Sequence, residues 1–300
     1  MTVSIAASAG GYALTLELAT GRLLPGRLVD GRLRVATATG GEIRGARVTM
    51  VGVETWRYDT TTVDAQGHTH TETRTSTQEL PNIPIALSGP LALAAGGTRD
   101  FTFQVPVPEL GPATFHGTEV RVDWVVEANL DVPGFDPKVT MPVLVLQPTA
   151  LLRAGVVTVG EFALYPAAEG EAGDIRGSIW LDPSPLCIGA PFKGRLDLES
   201  GAPRSVQEVR LELRVHAKAT VGGGRSETIT MWVGQLASEG EFGGGAQALP
   251  FASTLPELWL PTIETPHGRT DAQFHVIVAT AWARDPHLIR DVALCSTTEL

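Results

Sequence analysis

The residue types best suited to chemistry lie together in one polar segment of the chain. His68, His70 and Glu72 alternate with threonines, so on an extended strand their side chains would project from one face. Imidazole and carboxylate groups are common metal ligands, and Asp59 or Asp64 could complete such a set across a hairpin. A flexible arm does not pre-organise ligands, however. We therefore expect no bound metal and no other cofactor.

The same residues belong to a stretch that is polar on both faces. A turn at 64–67 is followed by 68–77, in which threonines occupy one parity and His, Glu, Arg and Ser the other. This pattern predicts a long hairpin that projects beyond the core, either as a contact arm for a partner or a second copy, or as a merely exposed loop. Trp56, at its base, is expected to be an exposed interface anchor. The candidate partner-binding residues of the hairpin are Trp56, Tyr58, His68, His70, Glu72 and Arg74.

A second candidate site is a local excess of arginine near the N-terminus of an acidic protein. Six arginines fall within 26 residues that contain only two acidic residues, namely Arg22, Arg27, Arg32, Arg34, Arg44 and Arg47. Arg32 and Arg34 share a strand face, and guanidinium groups suit carboxylate or phosphate. Arg22, Arg27, Arg32 and Arg34 are thus a candidate patch for an acidic or phosphorylated peptide. The alternative is a solvated sheet face whose arginines pair with neighbouring acids.

Motifs for nucleophilic or phosphate chemistry are missing from the sequence. It contains no Gly-x-Ser-x-Gly, His-Glu-x-x-His, Gly-x-x-x-x-Gly-Lys-Ser/Thr or Cys-x-x-Cys. The glycine-rich segment 222–226 lacks the lysine of a phosphate loop and is predicted as a hairpin turn. The remaining histidines have no Ser or Asp arrangement near them in sequence. We therefore expect a protein that is not an enzyme.

The elements that must position these residues are predicted to be β-strands. The chain has 33 Gly and 21 Pro, with 19% charged residues, a balance that favours turns over long solvated helices. Alternation of apolar and polar residues is clearest at 120–127 and 209–218. Strands of this kind between Gly and Pro clusters are typical of an all-β sandwich.

Charge and hydropathy exclude several classes of partner. The net charge of −10 repels phosphate backbones and anionic lipid surfaces, so nucleic-acid binding is not expected. No apolar run of about 18 residues occurs, which argues against membrane insertion, and the N-terminus does not resemble a signal peptide. We expect a cytoplasmic protein in which the only two cysteines, Cys187 and Cys295, are reduced.

An internal repeat predicts the domain organisation. Residues 23–35 match residues 186–198 without a gap, at a constant offset of 163. We predict two tandem antiparallel β-sandwich domains, an N-terminal one at 1–148 and a C-terminal one at 149–300. The connection between them is expected within about 147–174, where an acidic stretch suits an exposed linker.

The order of these motifs resembles the arrestin superfamily. The resemblance rests on the turn at 24–26, the Phe-x-Phe and Pro run at 96–106, the strand at 120–133, and 255–262 followed by the strand at Phe274. Within the superfamily, the chain is most similar to bacterial sporulation-control (arrestin-like) proteins and more remotely to the arrestin-related subunit of retromer. The resemblance implies two similar sandwiches joined by a short hinge, with adaptor work through protein contacts and no catalysis.

One family property is not carried over. Visual and β-arrestins sense receptor phosphates with adjacent lysines near the first strand, whereas this chain has no lysine before Lys138. Receptor-phosphate sensing is therefore not expected.

We accordingly expect a non-enzymatic cytosolic adaptor or scaffold that binds protein partners. The contact surfaces would be sheet edges, the Thr-rich hairpin and the N-terminal arginine patch, and edge pairing would also allow a homo-oligomer. Two alternatives stay open at this point. One is a carbohydrate-binding or hydrolytic β-sandwich whose site assembles from loops, and the other is a structural component of a larger assembly.

Overall fold

A computed structural model describes residues 1–148, 157–159, 162–165, 169–170, 175–242, 244–280, 285 and 287–298. All regular elements in these ranges are β-strands, which confirms the all-β prediction. None of the described residues forms a helix with the length and apolar character needed to cross a bilayer.

The strands form where apolar and polar residues alternate, so that one side of each strand is buried. In β12, for example, buried and more exposed residues alternate along the whole strand. Up to residue 148 the strands are β1 (Val3–Ala9), β2 (Tyr12–Leu18), β3 (Arg22–Leu23), β4 (Leu28–Thr37), β5 (Gly41–Ile43), β6 (Gly45–Val63), β7 (Thr69–Glu79), β8 (Ile83–Ser88), β9 (Leu91–Leu93), β10 (Thr98–Pro106), β11 (Phe115–His116), β12 (Val120–Asp131) and β13 (Lys138–Val145). The later strands are β14 (Val157–Val159), β15 (Phe162–Tyr165), β16 (Glu169–Gly170), β17 (Ile175–Asp182), β18 (Leu186–Cys187), β19 (Pro191–Ser200), β20 (Arg204–Ala219), β21 (Ser226–Ala237), β22 (Gly240–Phe242), β23 (Gly245–Thr254), β24 (Gly268–Thr280), β25 (His287–Val292) and β26 (Leu294–Cys295).

Packing divides the chain into two compact units whose bounds do not follow a single cut. The first unit comprises Met1–Thr55, Thr75–Thr114 and Arg121–Leu146. The second comprises Trp56–Arg74, Phe115–Val120 and Gln147–Leu300. The outer part of the hairpin formed by β6 and β7 therefore packs with the second unit.

The strands before residue 148 form two main sheets. One has the order β1-β2-β4-β10, and the other has the order β3-β13-β12-β6-β7, with β11 beside β12 and β8 beside β6. A small additional sheet pairs β5 with β9. Strand β7 ends its sheet, so among the described residues no strand lies beside one of its two edges.

The later strands repeat this order. The run β2-β4-β10 recurs as β17-β19-β23, and β13-β12-β6-β7 recurs as β25-β24-β20-β21. The parallel pairing of β3 with β13 likewise recurs in β18 with β26. Gly26 and Gly189, which are 163 positions apart, both have a φ of +74°. A Cβ at either glycine would contact a glutamate side chain, Glu109 or Glu257 respectively.

An aromatic cluster lies in the interior of the second unit. The ring of Phe192 meets that of Trp232 edge-on at a centroid distance of 5.3 Å, and Phe251 and Phe274 extend the cluster. Contacts between aromatic rings stabilise the fold by more than the burial of their apolar area alone. Phe192, Phe251 and Phe274 are buried, whereas Trp232 is half-buried.

The two cysteines form a disulfide. Cys187 and Cys295 are register partners on the parallel pair β18 and β26, with a Cα–Cα distance of 4.8 Å and bonded sulfur atoms. The expectation of two reduced thiols is therefore wrong, because strand pairing brings together side chains that lie 108 residues apart in sequence.

Much of the predicted connection at 147–174 lies outside the described residues. After residue 148, the parts that are described belong to strands, since β15 pairs with β17 and β16 pairs with β25. The acidic stretch predicted as an exposed linker is outside the described residues except at 169–170.

Candidate functional site

The Thr-rich hairpin is the most exposed regular element that the sequence singled out. Of the eleven residues of β7, ten are exposed and one is half-buried. An edge strand with exposed backbone groups is a template for pairing with another strand. The side chains of β7 are therefore accessible along nearly the whole strand.

The register of the hairpin decides which backbone groups face outward. Asp64 N donates to His68 O at 3.0 Å, and Leu80 N donates to Gly52 O at 2.8 Å. Both bonds fit one antiparallel register, in which even-numbered residues of β7 bond to β6. The odd-numbered residues, which are threonines from 69 to 77, direct their N–H and C=O groups to the open edge.

The hairpin turn is ordered by a single carboxylate. Asp64 Oδ1 accepts hydrogen bonds from the backbone N–H groups of Gln66 and His68, at 2.9 and 2.8 Å. Its other oxygen lies 3.2 Å from His68 Nδ1 and 3.3 Å from His70 Nε2. The backbone N–H of His68, followed by the two imidazoles, lowers the pKa of Asp64. Both predicted histidines are thus brought together at the turn.

Glu72 lies apart from that histidine group. Its carboxylate is 3.1 Å from Arg74 Nη2, and both side chains are more than half exposed. The part of the chain that the structure describes contains no group of three or more His, Cys, Asp or Glu side chains suited to a metal ion. The two charges of Glu72 and Arg74 instead remain accessible on one face of β7.

Trp56 differs from its prediction. It is only 9% exposed, and its ring stacks on His267 with a centroid distance of 3.9 Å and an interplanar angle of 7°. The expectation of an exposed anchor is therefore wrong, because the indole is buried by a residue 211 positions away, a contact that local sequence does not reveal. The neighbouring Tyr58 is half-buried and bridges to Gly224.

An arginine holds the outer part of the hairpin within the second unit. Arg225 Nη1 lies 3.2 Å from Asp59 Oδ2, and Arg225 Nε lies 3.1 Å from Glu119 Oε2. Backbone bonds support these ion pairs, since Asp59 N donates to Gly223 O at 2.8 Å and Arg225 N donates to Arg57 O at 3.1 Å. The hydroxyl of Thr73, followed by Arg225, lowers the pKa of Asp59. The hairpin is therefore tied down by side chains of both strands.

The N-terminal arginine patch is partly neutralised by its own sheet. Asp100, on β10, lies 2.8 Å from Arg32 Nη2 and 3.9 Å from Arg34 Nε. The hydrogen bond from Arg32 lowers the pKa of Asp100, so this carboxylate stays charged. Arg22 and Arg27 are exposed, one on β3 and the other in the following turn. The structure brings an acid between Arg32 and Arg34, which matches the alternative of a paired sheet face.

A histidine chain that sequence reasoning missed lies on the outer face of β20, β24 and β25. His275 Nδ1 is 2.7 Å from His287 Nε2, and His275 Nε2 is 3.4 Å from His216 Nε2. Burial, followed by the nearby charge of Arg214, lowers the pKa of His275 to about 4. The same two causes lower the pKa of His216 and of His287. Alternation places His216 on a polar strand face, but its partners depend on the sheet register.

A groove of about 550 Å³ lies across β17, β19 and β23. It is lined by Trp180, Lys193, Gly194, Arg195, Pro250 and Phe251. Asp197 accepts hydrogen bonds from Trp180 Nε1 and Arg195 Nη2, each at 2.9 Å, and Lys193 pairs with Asp182 at 3.0 Å. The charges around the groove are thus compensated by the protein itself.

Comparison of the chain with protein-family models and with curated proteins gives no match.

Proposed function

We propose that this protein is a non-enzymatic scaffold that binds protein partners by adding a strand to the open edge of β7. The observation that carries the proposal is the position of β7 at the end of its sheet, with nearly all of its side chains exposed. Backbone hydrogen bonds supply the affinity in strand addition, and alternate side chains supply the specificity.

The anchoring of the hairpin supports this role. Arg225 fixes the outer part of β6 through Asp59, and the hydroxyl of Thr73 on β7 donates to Asp59 Oδ1 at 2.7 Å. A strand that is already extended and held loses less conformational entropy on binding than a disordered segment does. The edge of β7 therefore already has the extended conformation that pairing with a partner strand requires.

We also propose that the two compact units are tandem arrestin-like β-sandwiches. The shared strand order and the matching glycine turns at Gly26 and Gly189 support a duplicated module. A fold of this kind suits a scaffold, but the function rests on the edge itself and not on the fold.

The proposal is tested with a proline on the open edge. The N–H of Thr71 faces outward in the hairpin register, so Thr71→Pro removes an edge donor without breaking a bond to β6. Purified wild-type and Thr71→Pro proteins would serve as baits for partners from the native host. We expect the variant to lose the strand-adding partners.

Two controls make the outcome decisive. The conservative Thr71→Val variant keeps the N–H group and should retain those partners, while circular dichroism should show that all three proteins are folded. A point substitution is preferable to deleting residues 57–77, since the deletion would also remove Arg57 and Asp59 from the ion pairs with Glu119 and Arg225. Partners captured equally by Thr71→Pro and wild-type protein would contradict strand addition at β7.

A further inference from the structure

We propose that the strand added at this edge is β7 of a second copy of the chain. The two strands would run antiparallel about a twofold axis at Thr73, with Glu72 opposite Arg74 of the partner subunit. This inference rests on the proposed strand addition and deepens it by naming the partner.

The backbone register allows this pairing. The outward N–H and C=O groups belong to the odd-numbered residues of β7, as the bonds of Asp64 and Leu80 to the opposite strand indicate. A twofold axis at Thr73 pairs odd residues with odd residues, so Thr71 would exchange hydrogen bonds with Thr75 of the partner subunit. The open groups of both edges are then satisfied together.

The charges of Glu72 and Arg74 favour this register over the registers shifted by two residues. With the axis at Thr73, both Glu72–Arg74 pairs across the interface are of opposite sign. A shift of two residues in one direction would place Glu72 opposite Glu72 of the partner subunit, and a shift in the other direction would oppose the two copies of Arg74. A parallel arrangement would bring identical charges side by side. Like charges directly opposite one another are destabilising in a sheet.

The geometry of an antiparallel pair strengthens this selection. Even-numbered residues of β7 would form the non-hydrogen-bonded pairs across the new interface, in which side chains lie closest. Glu72 and Arg74 are even-numbered, exposed and already within 3.1 Å of each other in one chain. The dimer would therefore join four charges in an alternating cluster, with threonines facing threonines on the other side.

The interface would be small. One strand pair buries less area than the roughly 1,000 Å² that marks a stable interface. We therefore expect reversible dimers whose population rises with protein concentration.

Charge reversal tests the register without disturbing the backbone. Glu72→Arg opposes two arginines across the interface, and Arg74→Glu opposes two glutamates. Each variant alone should sediment as a monomer over a concentration series in which wild-type protein shows dimers. An equimolar mixture of the two variants should form heterodimers, because every cross-strand pair is then of opposite sign. The double variant E72R/R74E should dimerise like wild-type protein.

The results separate this inference from the proposed function. A wild-type protein that stays monomeric throughout the series, single variants that dimerise as well as it does, or a mixture that fails to associate would each overturn self-pairing. If the charge variants stay monomeric when mixed but still capture the partners that Thr71→Pro loses, strand addition stands and its partner is another protein. Circular dichroism of every variant checks that the fold is intact.

Discussion

The imidazole rings of His216, His275 and His287 share hydrogen bonds in which both ring nitrogens of His216 and of His275 meet a defined neighbour. Arg214 Nη1 lies 3.5 Å from His275 Nδ1, and a guanidinium group can only donate. This geometry assigns the lone pair to His275 Nδ1 and the proton to Nε2. Glu212, which is only 7% exposed, balances the arginine through a pair of 2.6 Å. These contacts therefore favour the neutral form of the three histidines.

Because of these histidines, we expect the free energy of unfolding to decrease at acidic pH. The pKa of His275 falls to about 4 in the folded protein because of burial and Arg214, whereas in an unfolded chain it stays near its ordinary value of about 6.5. Between these two values the unfolded state binds more protons, so the free energy of unfolding decreases as the pH falls. From pH 7 to pH 5 we expect a loss of about 2 kcal/mol from His275 alone.

Urea unfolding of wild-type protein and a His275→Gln variant at both pH values would measure this contribution. The variant should lose less stability between pH 7 and pH 5, since glutamine does not titrate. An equal loss in both proteins would mean that His275 does not carry the effect.

At the residue scale, local sequence patterns single out residues but not their contacts. The arginine patch, the hairpin histidines and the tryptophan at the hairpin base were all identified from local patterns. Their contacts with Asp100 and His267 were not, since these partners lie at least 66 residues away in the chain and depend on sheet register. A local pattern gives the face of a strand but not the residue that lies opposite it.

At the scale of elements, two glycines let a phenyl ring from the neighbouring strand approach the backbone closely. Gly31 pairs with Phe103 and Gly194 pairs with Phe251, and in each pair the phenyl ring occupies the space where a Cβ would lie. The two glycines are 163 positions apart, as in the sequence repeat. The same strand-to-strand packing is therefore present in both halves of the chain.

Replacing one of these glycines should be costly. Gly31→Ala would force the methyl group into the ring of Phe103, and overpacking of this kind costs about 1–3 kcal/mol. Gly89→Ala is a matched control, because a Cβ there meets nothing within 4 Å, and its effect should stay within about 0.5 kcal/mol. Thermal unfolding of both variants would check the difference. Equal losses would contradict the packing argument.

The alternation of residues predicted the strands well, because one face of each must be buried. It could not predict that β7 ends its sheet, since edges arise from the order in which strands pair. The open edge of β7, on which the proposed function rests, is thus visible only in the assembled sheet.

At the scale of the whole molecule, the disulfide is the feature that could not be predicted from the sequence. Two cysteines alone indicate no framework, yet the pairing of β18 with β26 brings Cys187 and Cys295 into register. Disulfides are uncommon in cytosolic proteins, so the cytoplasmic location stays a prediction to be examined through the thiol state.

Removing the disulfide should lower stability substantially. For a closed loop of this size, loss of the cross-link is expected to cost about 3–5 kcal/mol. Denaturant unfolding of a Cys187→Ala/Cys295→Ala variant would measure the loss.

Thiol labelling of unfolded wild-type protein from the native host, with and without prior reduction, would show whether the bond forms there. Full labelling without reductant would contradict the disulfide.

The internal repeat predicts two related parts, and the strand order of the first part recurs among the later strands. The packing units depart from a simple division at residue 148, because Trp56–Arg74 and Phe115–Val120 group with later residues. Such exchanges depend on contacts over long sequence separation, which no local pattern contains.

The bond between Cys187 and Cys295 also closes a covalent ring that contains most of the later strands. A protease that cuts the backbone once inside that ring would leave both fragments attached to each other. The nicked protein would migrate as one band in electrophoresis until a reducing agent separates its pieces.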